Sequence, residues 1–459
     1  MRKYFIVYTL TIFLAQLINA QHIKRKGSLG VGFYQKTPDS LVTKLGYSQG
    51  AVVQFAVPNT TAANLGLQIN DIITRVNDIT INNPTQLPLV AKTLRAQEPI
   101  KVIVIRNNKE IKLSGTVMPR PLETSNTATI EYGEFAYQQG YVRTIYKAPK
   151  DRSPLGTIYF LQGLPCYSMD NFTAFDKTKQ AIDAMVDRGF AVYRMEKADM
   201  GDNMNMAPCE TMGFNAELEM YDAGYKNLLT LKKVDTGKII LFGHSMGGVT
   251  APLLSAKYQP KAVIVYGTVF KHWLDYLIEA NMIQSGYYGD DTVQLRKTID
   301  AAMPYINDYF YTNKTADDIC KTAEGTAALE LIMSYDPKTK LGASGRAASV
   351  HKELNQHDLS VAWAKTNSHV LAIYGECDIA ANNATDHQAL IDHVNRIHPG
   401  KGQFWLAPKT THTFEEIGSM QDFIKWQKTP AAYYQYAATK FNPKVFDHAC
   451  NWMKEVLAK

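Results

Sequence analysis

The stretch KIILFGHSMGGVTAPLLSA, residues 238–256, sets a serine between glycines in Gly243-His244-Ser245-Met246-Gly247. An apolar, β-branched run leads in and a helix-like pattern leads out. On a turn this tight, the residues two before and two after the serine must be small. The serine itself takes a strained φ/ψ that pushes Oγ into the open. The helix that follows directs its positive end at the same point. A hydroxyl so placed can attack a carbonyl carbon, given a base, an orienting acid and two N–H donors for the oxyanion. One donor is the Met246 N–H, directly after the serine. The acid and the base must come from elsewhere in the chain. Among the acids, Asp378 closes YGECD, with Glu376 and Asp386 as near rivals. Of the eleven histidines, His412 in WLAPKTTHTF follows a strand-like run. His387, His393, His398 and His448 sit within or beside helical stretches, and His244 should point away from Oγ.

These side chains need a frame. From residue 130 onward strand-like runs alternate with helix-like ones. The spacing predicts a hairpin over 134–149 and strands at 156–163, 190–198, 238–245, 261–268, 369–378 and 402–408. Between them, 178–189, 217–234 and the segment after Ser245 read as helices. Such alternation calls for a mostly parallel sheet covered on both faces. Asp378 then falls just past the C-terminal end of a strand, where ligands meet a parallel sheet. Residues 268–366 lack strong strand runs. They are far longer than a plain connection, so they read as a helical cap insertion that gates the site. Its Trp273, Tyr276, Tyr287 and Tyr288 suit an apolar acyl or aromatic group.

With its strand–turn–helix setting and the order Ser, Asp, His, the segment 130–459 resembles the α/β-hydrolase fold. The resemblance implies an α/β architecture: about eight mostly parallel strands, helices on both faces and a helical cap. The family's strand–Gly–x–x–Asp pattern picks Asp378, and its base sits after the last strand, which picks His412. His412 would be general base and then acid, with Asp378 fixing its tautomer. The loop LQGLPCYSMD (161–170) resembles the His-Gly-x-Pro loop of many such enzymes, so Leu164 would give the second oxyanion N–H. Gln162 stands where that pattern has His, which leaves the loop's supporting bonds open. RMEKADMGDN (194–203) resembles the Asp-Arg-x-Gly-x-Gly-x-Ser loop, with Glu196, Lys197 and Gly201 in matching places and the final Ser missing. Both loops carry a cysteine and both should edge the pocket, so a Cys166–Cys209 disulfide is expected to clamp it. Neither cysteine reads as catalytic. The five cysteines match no zinc signature, one at least is left unpaired, and the chemistry requires no cofactor or metal.

Residues 28–118 have a different texture, with short strands, Gly66 closing a short helix, and turns at Asn77-Asp78 and Asn107-Asn108. LGVGF (29–33), GAVVQFAVPNTTAANLGLQINDIITRVND (50–78) and the closing hairpin resemble a PDZ domain of the bacterial arrangement. The resemblance implies that an extended peptide adds as a strand to the sheet edge, with its carboxylate at the backbone of Leu29, Gly30, Val31 and Gly32. The Pro-, Thr- and Ser-rich MPRPLETSNTA reads as a linker. The expected division is 1–20 signal peptide, 21–119 PDZ domain, 120–129 linker and 130–459 hydrolase domain with the cap at 268–366.

The opening MRKYFIVYTLTIFLAQLINA has a basic start, an apolar run shorter than a membrane span and a small residue at Ala20. It reads as a signal peptide for export to a periplasm or outside the cell, where a disulfide is allowed. At 46% hydrophobic and 20% charged the composition is globular, and no later stretch is apolar enough to span a bilayer. The net charge of +6 is scattered, with no nucleic-acid patch. The reading favours an exported serine hydrolase acting on a small-molecule ester or amide through an acyl-enzyme on Ser245. An esterase leads, with an aminopeptidase-like peptidase of the same fold as the alternative. The rival from another class is a non-catalytic adaptor, whose PDZ unit binds protein tails and whose hydrolase fold is a scaffold.

Overall fold

The computed structural model describes residues 22–46, 49–170 and 173–459. The expected signal segment, 1–20, lies outside the described residues.

Two sheets organise the chain. The larger has eight strands: β1 (Ala128–Tyr137), β2 (Gly140–Pro149), β3 (Thr157–Leu161), β4 (Ala191–Met195), β5 (Ile239–His244), β6 (Ala262–Tyr266), β7 (His369–Gly375) and β8 (Gly402–Ala407). Their order across the sheet is β1-β2-β4-β3-β5-β6-β7-β8. The β1/β2 and β2/β4 pairs are antiparallel and all later pairs are parallel. That strand order and its swap of β3 and β4 are those of the α/β-hydrolase sheet. Alternate residues of one strand face opposite sides. Tyr159, Leu161 and Leu241 pack into one core layer, while Ile158, Phe160 and Phe242 pack into the other. Strands apolar on both faces need helices on both, and this is why the central runs read as continuous hydrophobic stretches.

The flanking helices used below are α1 (Lys177–Asp187), α2 (Phe214–Thr230) and α3 (Gly247–Tyr258). After β6 come α4 (Trp273–Tyr288), α5 (Thr292–Tyr311), α6 (Ala323–Met333), α7 (Ala348–Leu354) and α8 (Leu359–Lys365). Within the expected cap, a small two-stranded ribbon pairs Leu341–Gly342 with Arg346–Ala347. The last helix of that stretch, α8, packs between α3 and α9 (Ala384–Ile397), as a sheet-flanking helix rather than as part of a lid. The helix after the 190–198 strand starts earlier than the periodicity predicts and ends at Thr230, because Leu231 already has an extended backbone. Beyond β8 lie α10 (Met420–Gln427) and α11 (Pro430–Ala437), which the sequence reading did not contain, and then α12 (Lys444–Ala458).

The smaller sheet belongs to the N-terminal unit. Strands Val31–Phe33, Ala51–Ala56, Ile72–Val76, Pro99–Arg106 and Lys109–Thr116 follow one another across it. Val53, Ile73, Val76, Leu87, Val102 and Val104 form its separate core. The hairpin turn at Asn107-Asn108 has φ of 52° and 59°, a left-handed pair that asparagine tolerates. A helix at Asp39–Leu45 was not expected from sequence; none of its residues is buried, so it leaves no apolar periodicity to read.

The two units are tied together. The Arg25 guanidinium bridges Asp170 and Asp202, at 2.7 Å from the latter, and the Lys26 N–H donates to Asp202 at 2.8 Å. The stretch expected as a linker is pinned as well. Its Glu123 is nearly buried, pairs with Arg194 and accepts from Lys147 at 2.7 Å.

Candidate active site

The turn after β5 shows why its glycines are needed. Ser245 sits at φ 56°, in the left-handed region that costs a non-glycine residue about 1–3 kcal/mol. Its N–H donates to the Tyr266 carbonyl on β6 at 2.9 Å, which anchors the turn to the sheet. A Cβ at Gly247 would land on the Leu161 carbonyl, and one at Gly243 on the Gly247 carbonyl. The following helix α3 starts at once, with Met246 as its N-cap residue.

Asp378 follows β7 and is fully buried. It accepts from the N–H groups of Ala380 and Ala381 at 2.8 and 3.0 Å, and from His412 Nδ1 at 2.8 Å. Gly267, at φ 60°, lies against this pair. A Cβ there would come within 2.6 Å of Asp378 Oδ2 and 2.8 Å of His412 Nδ1. Burial pulls the His412 pKa down, but the adjoining Asp378 charge and hydrogen bond outweigh it and leave it above the ordinary value. Burial pushes Asp378 up, and His412 with the Ala381 N–H overrides that and leaves it low. With Asp378 accepting at Nδ1, the neutral ring presents Nε2 as its basic nitrogen.

The rival groups are occupied elsewhere. Glu376 accepts from the Lys409 N–H at 2.7 Å, and Asp386 pairs with Lys271 at 3.0 Å. His387 uses both ring nitrogens, donating to the Asn383 carbonyl and accepting from the Thr268 N–H. His244 turns its Nε2–H to the His412 carbonyl at 2.8 Å, and burial pushes its pKa down to about 3. It is therefore a neutral strut under the His412 loop.

Ser245 and His412 line one cavity of about 840 Å³, although no hydrogen bond joins them among the described residues. Gly163 of the 161–170 loop abuts the serine: a Cβ there would sit 3.1 Å from Ser245 Cβ. Among the described residues neither the Met246 N–H nor the Leu164 N–H has an acceptor. Cys166 and Cys209 are joined by a disulfide, while Cys320, Cys377 and Cys450 are free. The bond closes a loop 43 residues apart in sequence and ties the Leu164 loop to the segment after β4. Loop-closure entropy puts its stabilisation at about 2–4 kcal/mol. Reduction, or the paired Cys→Ser variant, is expected to lower the melting temperature by several degrees; calorimetry with and without a phosphine reductant checks this.

Trp273, Tyr276 and Leu277 of α4 line the cavity, whereas Tyr287 and Tyr288 point to solvent. Half of the expected aromatic set therefore belongs to the cavity, because the helix turns the other half outward. Sequence reasoning missed the part of the lining supplied by Phe423 of α10 and by Tyr433 and Tyr434 of α11. It also missed Glu415, which accepts from Thr411 and Thr413 on the His412 loop.

Against known proteins, residues 27–117 match the PDZ domain family. The N-terminal unit is a PDZ domain. A 74-residue segment is 32% identical to a probable periplasmic serine endoprotease, DegP-like, of Marinomonas sp. (strain MWYL1). That match spans 16% of this chain and 16% of the relative. Among solved structures, a 2,6-dihydroxy-pseudo-oxynicotine hydrolase is 14% identical, covering 71% of this chain and 68% of that one, at a TM-score of 0.39. Est1E from Butyrivibrio proteoclasticus is 12% identical, with 72% and 99% covered, at 0.41. Carboxyl esterase 2 from Tuber melanosporum is 15% identical, with 72% and 87% covered, at 0.41. The hydrolase fold rests on the strand order of the sheet itself. In the PDZ domain a groove of about 380 Å³ runs between strand Val31–Phe33 and helix Gln86–Thr93. The Leu29–Gly32 backbone forms one wall, and Leu87 and Arg120 also line it.

Proposed function

We propose that this chain is an exported serine hydrolase that cleaves an ester or amide through an acyl-enzyme on Ser245. The observation that carries the reading is the Asp378–His412 contact at 2.8 Å, opening onto the cavity that holds Ser245 at its left-handed φ. In the reaction, His412 Nε2 takes the Ser245 proton as Oγ attacks the carbonyl carbon. Asp378 holds the tautomer and stabilises the imidazolium. The Met246 and Leu164 N–H groups receive the oxyanion. His412 then protonates the leaving group, and water repeats the sequence in reverse to free the enzyme. The Ser245–His412 bond closes when substrate fills the cavity, since such bonds are often long in the empty site.

The cavity falls within the range of small-molecule sites, and its walls are largely aromatic and aliphatic. An ester with an apolar acyl or aromatic group fits it, and an esterase is the leading activity. The PDZ groove favours a second reading, a peptidase fed by a module that holds peptide ends. The N-terminal signal pattern, the disulfide and the periplasmic relative of the PDZ segment support export. The domain division is 1–20, 21–119, 120–129 and 130–459, with the 268–366 insertion capping the site through the elements that precede α8. Chromogenic short-chain esters and aminoacyl anilides, assayed side by side, test the reading. Ester turnover that vanishes in Ser245→Ala supports the esterase, preferential anilide cleavage supports the peptidase, and no turnover of either class counts against both.

A further inference from the structure

Three charged side chains meet under the 161–170 loop with no access to water. Lys197, Glu217 and Arg346 are 0%, 1% and 0% exposed. Arg346 comes from the ribbon of the 268–366 insertion, Glu217 from α2, and Lys197 from the loop after β4. Burying ions costs several kcal/mol each unless all are paired and hydrogen-bonded. Here two cations share one carboxylate. Lys197 Nζ is 2.9 Å from Glu217 Oε1, and Arg346 Nη2 is 2.7 Å from Oε2. Arg346 Nη2 also donates to the Met212 carbonyl at 3.1 Å, while Lys197 Nζ and Arg346 Nη1 reach the backbone beside Ser245. Lys197 Nζ donates to the Gly163 carbonyl at 2.6 Å and to the Leu164 carbonyl at 3.1 Å. Arg346 Nη1 donates to the same Leu164 carbonyl at 2.7 Å.

Peptide geometry turns these bonds into direction. In a trans peptide the C=O of one residue and the N–H of the next point in opposite directions. Drawing the Gly163 carbonyl down to Lys197 therefore drives the Leu164 N–H the other way. Pinning the Leu164 carbonyl fixes the peptide on the far side of the same Cα. Pro165 narrows Leu164 further, to extended backbone. Resting on the reading of Ser245 as nucleophile, we propose that Lys197, clamped by Glu217 and Arg346, is the positioning residue of the oxyanion loop. It holds two successive carbonyls so that the Leu164 N–H faces the attacked carbonyl. It fills the supporting role left open by Gln162, and through Arg346 it makes a segment of the insertion part of the oxyanion site.

Lys197→Met keeps Glu217 paired with Arg346, so it tests position rather than orphaning a carboxylate. Its kcat on a chromogenic ester is expected to fall about 10²–10³-fold, as for loss of one oxyanion donor, with KM within about threefold. Lys197→Arg keeps the charge and is expected to recover part of the loss. The wild type offers a test that needs no variant. The charged groups facing Lys197 are Glu217 and Arg346; its neighbour Glu196 accepts instead from Ser168 and the Met169 N–H. Burial and Arg346 hold the Lys197 pKa at about 8, against the upward pull of Glu217. A neutral amine loses a proton and the attraction to Glu217, so kcat is expected to decline above about pH 8, and Lys197→Arg to lack that decline. A folded Lys197→Met enzyme with kcat within about threefold of wild type overturns the proposal. If that variant does not fold, a folded Lys197→Gln enzyme with kcat within about threefold of wild type does so. A wild type that turns over neither esters nor aminoacyl anilides counts against the Ser245 reading instead.

Discussion

Replacing Ser245 with alanine is expected to lower kcat on esters by about 10⁵–10⁶-fold, the scale seen when one member of a nucleophile–base–acid unit is removed. Substrate binding should change little, because the cavity walls of α1, α4, α10 and α11 stay in place. Glycine at the same position makes a sharper comparison. Ser245 holds φ at 56°, and alanine would keep that strain while glycine would not. Ser245→Gly should therefore be equally inactive yet more stable than Ser245→Ala by about 1 kcal/mol. Steady-state kinetics and thermal unfolding of both variants check the pair. Equal stability would mean that the turn stores no strain.

Asp378→Asn has the second largest expected effect, a fall of about 10⁴-fold in kcat near neutral pH. The carboxylate accepts from His412 Nδ1 and so reserves Nε2 for the serine proton. An amide can offer its NH₂ to Nδ1 instead, which leaves the proton on the wrong nitrogen. The pH profile should move as well. The base works only when neutral, so kcat/KM falls as pH drops through the His412 pKa. Asp378 holds that pKa above its ordinary value against burial, which places the wild-type acid limb above about pH 6.5. In Asp378→Asn the charge is gone and burial remains, so the limb should shift to lower pH. A limb that stays put, or moves up, would show that another group controls it.

Local rules made the layout of the candidate site legible. The glycines around Ser245 are forced by atoms a few residues away or on the next strand, and a short motif records such forcing. Asp378 and His412 were legible because strand ends and the loops after them stand out in sequence. Lys197 was legible only as a matching position in the 194–203 loop, not as a buried cation, and Arg346 was not legible at all. Their acceptors lie 34 and 182 residues away for Gly163 and Leu164 respectively, and an isolated Lys or Arg reads as surface charge until its surroundings are known. Glu123, in a stretch that composition marks as a linker, closes onto Arg194 and Lys147 for the same long-range reason. The α10–α11 wall was lost because each helix is only eight residues long and Thr429-Pro430 breaks the periodicity between them. Apart from the exposed helix at Asp39–Leu45, the PDZ domain was legible, since its strands, turns and glycines are set by neighbours along the chain.

Treating the protein with a fluorophosphonate probe and mapping the adduct by peptide mass spectrometry tests the nucleophile most directly. The expected result is one modified peptide with the phosphonyl group on Ser245, and no adduct in Ser245→Ala. A folded wild-type protein that takes up no probe, or takes it up on a different residue, would contradict the assignment and leave the hydrolase fold as a scaffold behind a PDZ domain.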